Sequence, residues 1–182
     1  ILDRVVKINV PYCLELDEDI KIYKKILGLS DFKAHIAPHT IKVASMFSVM
    51  SRLKRSGKCD LLTKMKIYNG EEVIEKGRVK NIDINDLREE HREEGMNGIS
   101  TRFIMKAIDH ALVMSENHCV TPIGVMKSLT KMVKEQIVDE DFRERCLEIV
   151  QNTVREEYLK ILETEIAKAF ITAYEEQAQS LF

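Results

Sequence analysis

From Asp139 to Phe182 the chain has neither glycine nor proline, and its apolar residues recur at helical spacing. Phe142, Cys146, Ile149, Val150, Val154 and Tyr158 begin the stripe; Ile161, Leu162, Ile166, Ala169, Phe170, Ala173 and Tyr174 continue it. Such a run specifies one long helix or two. An apolar face of that length needs a partner to cover it. The cover is the preceding bundle, other parts of a longer protein, or a second chain, and the sequence leaves all three open.

Upstream, the same helical logic repeats in shorter pieces. Residues 4–10, RVVKINV, are short and rich in β-branched side chains, which predicts a strand ended by Pro11. Asp17 is placed to cap a helix to about Ile26, with Ile20, Tyr23, Ile26 and Leu27 on one face and Gly28 behind it. Pro38 suits a first helical position, and Val43, Phe47, Met50 and Leu53 predict a largely buried helix after it. KMKIYNGEEVI holds Asn-Gly between partly alternating runs, which fits a small hairpin or an ordered loop. Asp83 or Asn85 caps a charged, mostly solvated helix stopped by Gly95. Ser100 is an N-cap for the helix that follows, whose face of Phe103, Ala107, Ile108, Ala111, Leu112 and Ser115 is narrow and partly small-residue. Thr121-Pro122 opens the next helix, with Val125, Met126, Leu129, Met132 and Val133 inward. The expected fold is mainly α, with a short N-terminal strand, a possible small hairpin and long C-terminal helices.

The chemistry that is missing narrows the function. The 182 residues carry a net charge of −2 with both signs interspersed, which argues against a duplex-binding surface. Four scattered cysteines, at 13, 59, 119 and 146, contain no CxxC and read as reduced thiols of a cytoplasmic protein. No run of 18 apolar residues is present, so no membrane span is expected. The chain opens ILDRVVKINV, as if in mid-domain, and reads as a fragment of a longer protein. Gly57-Lys58 is followed by Cys59, and Arg52 stands where the first glycine of a phosphate-binding loop belongs, so no such loop exists. Kinase motifs are absent. His35 and His39 flank Pro38 without the central Glu of a zinc-helix motif, and no metal site is expected.

Arg102 stands out against that background. It lies in the first turn of its predicted helix, where a cation opposes the helix dipole. The same place suits an anion, and arginine presents fork-shaped donors to phosphate. The approach to it, GMNGIS, contains two glycines, and the next helix is announced by Val-Thr-Pro.

GISTRF followed by VTP resembles the sensor-2 helix in the lid of AAA+ ATPases, especially the MoxR-like and related branches. The resemblance implies that Arg102 reaches the phosphates of ATP from the lid. LDRVVKINVPY is similar to the end of an AAA+ core, which implies that Arg4 is an arginine finger for a neighbouring subunit's ATP site. VPYCL, AHIAPHTIKVASMFSVMSRL, KMKIYNGE, LREEHREEGMNGISTRF and EEYLKILETEIAKAF together closely resemble the bacterial PrkA-type serine protein kinases. This implies a core-like end at 1–12, a lid-like helical domain at 13–136 and a helical extension at 137–182. It further implies ATP and Mg²⁺ in the full-length protein, an N-terminal AAA+ core outside this chain, a homo-oligomer, and a protein substrate or regulator as partner. A non-catalytic helical interaction module is the rival reading; a nucleic-acid-binding helix pair is a weaker third.

Overall fold

The computed structural model describes residues 6, 8–30, 32–75, 78–79 and 82–180, with backbone alone for 74–75, 78–79 and 173–180. The fold is built around one buried helix. In order, the elements are α1 (Leu16–Leu29), β1 (His35–Ile36), α2 (Thr40–Arg52), α3 (Leu61–Tyr68), β2 (Ile74–Glu75), β3 (Arg78–Val79) and α4 (Ile84–Glu90). Then come α5 (Thr101–Val113), β4 (Cys119–Val120), α6 (Pro122–Gln136), α7 (Glu140–Glu148), a π-helical turn (Ile149–Thr153) and α8 (Val154–Ser180). This is the mainly α class that the apolar periodicity predicts.

Every residue of α2 except Lys42 is buried, because apolar and serine side chains alternate around its whole circumference. Helices α1, α3, α5, α6, α7 and the start of α8 pack against it. Val125, Met126, Leu129, Met132 and Val133 all face this core from α6, as their spacing requires. From α5 the buried residues are Ile104, Ala107, Ile108 and Ala111, and Phe103 packs at the edge. Burying such side chains stabilises the fold by about 1.5–3 kcal/mol each for the large ones. Ser100, Thr121 and Asp139 cap their helices by accepting from the N–H of Phe103, Gly124 and Phe142.

The long C-terminal run divides at the π-helical turn. Cys146, Ile149, Val150, Val154 and Tyr158 are covered by the bundle. Beyond Leu162 the stripe leaves it, and Ile166, Phe170 and Ile171 are exposed. Arg145 donates to the carbonyls of Leu53 and Met50, satisfying the C-terminal end of α2. Lys66–Glu157 and Arg55–Glu148 ion pairs hold the same region to the body. Burial pushes the Cys146 thiol up to about 12, so it is an inert core side chain.

Four local expectations are corrected. Pro38 is in a turn, and α2 begins at Thr40 after His39 in the left-handed region (φ 64°). The reason is tertiary: β1 pairs in parallel with β4, and Thr40 Oγ1 donates to the Val120 carbonyl at 3.1 Å. Helix α1 starts at Leu16 behind Glu15, so Asp17 is in the first turn rather than at the cap, and its N–H donates to Asn69 Oδ1 at 2.8 Å. Asn69-Gly70 ends α3 instead of turning a hairpin; Gly70 takes φ 74°, a helix-stop conformation that glycine adopts freely. The hairpin forms further on, between β2 and β3. The N-terminal strand does not form at the described residues of its span: Val6, Ile8 and Val10 are irregular and exposed. A strand needs a neighbour for its ladder, and none stands beside this one among the described residues.

The buried tyrosines give one measurable consequence. Tyr23 is fully buried and shares a 3.0 Å hydrogen bond with Ser48; burial pushes its hydroxyl up from 10.0 to about 12. Tyr68 is raised in the same direction by burial and by its hydrogen bond to Glu94. A phenol that ionises less readily in the folded state contributes stability that is intact below the unfolded value and is lost as pH rises through the folded one. Stability should therefore fall between pH 10 and 12, by about 2–3 kcal/mol from Tyr23 alone. Urea unfolding of Tyr23→Phe should show a flatter alkaline limb; an unchanged limb would show that Tyr23 ionises as readily when folded.

Candidate functional site

The approach to α5, residues 94–100, is gripped from below by two buried ion pairs. The first joins the C-terminal residue of α2 to α1: Arg52 Nη1 donates to Asp19 Oδ1 at 2.8 Å, with both side chains 1% exposed. Arg52 also donates from Nε to the Ile99 carbonyl (3.1 Å) and from Nη1 to the Cys13 carbonyl (2.9 Å), and its guanidinium lies 4.8 Å from the Tyr12 ring centroid. Burial pushes the Asp19 carboxyl above its ordinary value, and the Arg52 guanidinium pulls it back. One atom of each partner, Asp19 Oδ2 and Arg52 Nη2, has no hydrogen-bond partner among the described residues.

The second pair lies at the other end of the loop. Glu94 accepts from Lys64 Nζ (2.6 Å), the Lys54 N–H (2.6 Å) and the Tyr68 hydroxyl (2.7 Å). Lys64 and Glu94 side chains are 0% and 3% exposed. Three donors on one carboxylate replace its lost hydration, which is the condition for burying a charge.

Between these anchors the backbone is held at Gly95 and Ile99 and closely approached at Gly98. The Gly95 N–H donates to the Arg52 carbonyl at 3.3 Å, and the Gly95 carbonyl accepts from the Tyr12 N–H at 2.8 Å. Gly98, at φ 128°, lies so close to Arg52 that a Cβ there would sit 2.7 Å from Cγ and 2.9 Å from Cα. The Ile99 N–H donates to Ser51 Oγ at 2.9 Å. Ser100 then caps α5. Both glycines of GMNGIS are thus required by geometry, one for its left-handed turn and the other for its approach to Arg52.

This frame presents Arg102. Its side chain is exposed in the first turn of α5 and has no hydrogen-bond or ion-pair partner among the described residues. Nothing in the first turn of α5 is acidic, so the dipole and the guanidinium add to a local positive field. Arg4 lies outside the described residues. Among the described residues, no group of His, Cys, Asp and Glu could hold a metal ion. His35 lies in β1 and His39 at the start of α2, and His110 Nδ1 is 3.0 Å from Ser128 Oγ.

Sequence reasoning did not find Arg52, Asp19, Lys64 or Glu94. Arg52 reads as one of the basic residues gathered at a helix C-terminus, and Glu94 as part of a solvated acidic helix. The available signal was the serine row of α2: Ser45, Ser48 and Ser51 in a helix otherwise too apolar to be exposed. Polar side chains in such a helix point to a polar network inside the core.

The family models for the PrkA serine protein kinase C-terminal domain and the PrkA AAA domain match residues 62–182 and 1–60 respectively. The chain belongs to the PrkA family. ATP-dependent protease PrkA of Bacillus subtilis (strain 168) is 37% identical over 183 residues, covering 98% of this chain and 28% of that protein. Serine/threonine kinase YeaG of Escherichia coli (strain K12) is 32% identical over 191 residues, covering 100% of this chain and 28% of that protein. The chain therefore spans less than a third of the curated PrkA relatives it matches. No solved structure matches it. The two PrkA family models meet just before and within the start of α3, yet α2 and α6, on either side of that boundary, share one core. No described helix is long and apolar enough to cross a membrane.

Proposed function

We propose that this chain is the lid and C-terminal extension of an ATP-dependent PrkA-type serine protein kinase, and that Arg102 grips the phosphates of ATP held by the upstream AAA+ core. Residues 13–136 are the lid-like unit and 137–182 the extension. The core supplies the ATP and Mg²⁺ site, Arg4 reaches a neighbouring subunit's nucleotide in a cytoplasmic homo-oligomer, and the extension docks a protein substrate or regulator. The observation that carries the reading is the pairing of an unpartnered, exposed Arg102 with a heavily anchored entry into its helix. A loop tied down by two buried ion pairs fixes the backbone from which the Arg102 side chain projects, and positioning of this kind is what phosphoryl transfer draws on. The relatives' names divide between protease and kinase; a phosphate-gripping arginine serves ATP turnover in either.

The test uses the protein with its upstream core. Arg102→Ala should lower ATP turnover well over tenfold at an unchanged melting temperature, with Arg102→Lys recovering only part. A wild-type rate would remove the role. Mixing Arg4→Ala subunits with subunits dead in the phosphate-binding loop should restore turnover in trans; effects confined to the mutated subunit would rule out a finger. The reading as a helical interaction module is favoured by one observation, the exposed stripe of Ile166 and Phe170 on α8. It would take over if turnover were indifferent to Arg102.

A further inference from the structure

A groove of about 890 Å³ runs between α6 and the π-helical turn with the start of α8. Its floor is apolar: Met126, Val150 and Tyr158 are buried beneath it, and Ile123 and Leu159 stand at its sides, about half exposed. Its rim is basic. Lys127, Lys131 and Lys134 follow one another by four and three residues, so they share one face of α6, and Arg155 lies on the opposite wall. No Asp or Glu lines the groove, and none of these four cations has an ion-pair partner among the described residues. The π-helical turn shapes the wall: Ile149 and Val150 are both turned into the core while Gln151 and Asn152 stay exposed at the edge.

We propose that this groove is the docking site for an acidic amphipathic helix of a partner protein. Residues 123–134 of α6 extend over roughly 16 Å, about three helical turns, so the wall is long enough for a partner helix to lay down anchors at i, i+3 or i+4, and i+7. The apolar floor takes those anchors, and the unpaired cations take carboxylates flanking them. A basic helix would be repelled by the rim. The apolar row does not stop at the groove: Leu159, Leu162, Ile166 and Phe170 carry it along α8 by steps of three and four, out of the bundle. A partner helix longer than three turns would follow that row. The proposal rests on the docking role assigned above to the extension and is independent of the phosphate role of Arg102.

The experiment uses the protein with its upstream core and a fluorescein-labelled designed peptide, helical, with leucines at heptad spacing flanked by glutamates. A twin peptide carries lysine at every glutamate. Anisotropy titration should give saturable binding of the acidic peptide, weakened by added salt, and at least tenfold weaker binding of the lysine twin. The triple variant Lys127→Glu, Lys131→Glu, Lys134→Glu should lose at least tenfold in affinity for the acidic peptide and gain affinity for its twin, a reversal that misfolding does not produce. Leu159→Asp should weaken both. Arg102→Ala should leave peptide binding as in the wild type while lowering ATP turnover, so failure of the docking proposal and of the phosphate reading are separable. Equal binding of the two peptides would overturn the proposal. So would a wild-type affinity in the triple variant, or a change in oligomeric state on charge reversal that assigns the groove to a second copy of the chain.

Discussion

Arg52→Ala should lower the free energy of unfolding by about 3–5 kcal/mol, a large share of what holds a domain of this size. The loss does not come from the salt bridge as an attraction. Burial raises the Asp19 carboxyl against the pull of Arg52, so desolvation offsets the attraction of the intact pair. It comes from what is left behind. Without the guanidinium, a carboxylate 1% exposed has no counter-charge, and the carbonyls of Cys13 and Ile99 lose their donors. The buried Ile99 carbonyl without a partner costs about 1–3 kcal/mol, and the part-buried Cys13 carbonyl less. The double variant Asp19→Leu, Arg52→Met removes the orphaned charge and should recover part of the loss, less than all because the carbonyls stay unserved. Urea unfolding of the three proteins tests this. A loss below about 1 kcal/mol in the single variant would mean that water reaches the site and that the pair is not a buried anchor.

Gly98→Ala should cost about 3 kcal/mol or more, while Gly70→Ala should cost only about 1. Both glycines have positive φ, at 128° and 74°. They differ in what surrounds them. A Cβ at 70 meets nothing within 4 Å, so only the backbone conformation is penalised. A Cβ at 98 meets the Arg52 Cγ at 2.7 Å and its Cα at 2.9 Å, and a backbone atom in the middle of the core cannot yield as a side-chain tip would. Relief requires moving the loop away from α2, which also breaks the Ile99–Ser51 and Ile99–Arg52 hydrogen bonds and shifts the start of α5. In the protein with its core, Gly98→Ala should therefore lower both the melting temperature and ATP turnover, whereas Arg102→Ala should lower turnover alone. Equal stability losses at 98 and 70 would show that contact with Arg52 is not what demands a glycine.

The caps were legible because their causes are local. Ser100, Thr121 with Pro122, and Asp139 each cap a helix with a side chain that reaches three residues along its own backbone. The inner face of α6 and the covered half of the C-terminal stripe follow from spacing alone. Asn69-Gly70 shows where local reasoning ends. The dipeptide supplies a positive φ equally well to a hairpin or to a helix stop, and Asp60, capping α3 through the Thr63 N–H, decides for the stop. Pro38 was displaced by a strand pairing with residues some eighty positions away.

By itself, the sequence determined the helical class, the starts of α5 and α6, the inward faces and the position of Arg102 in a first turn, since each depends on a period or a cap within a few residues. Only the tertiary structure decided which charges would be buried. Asp19 meets Arg52 across 33 residues, and Lys64 meets Glu94 across 30. Alone, each of these side chains belongs in water. It can leave water only when folding brings an opposite charge and the right hydrogen-bond donors or acceptors to within 3 Å or so, and no local stretch of sequence records that meeting.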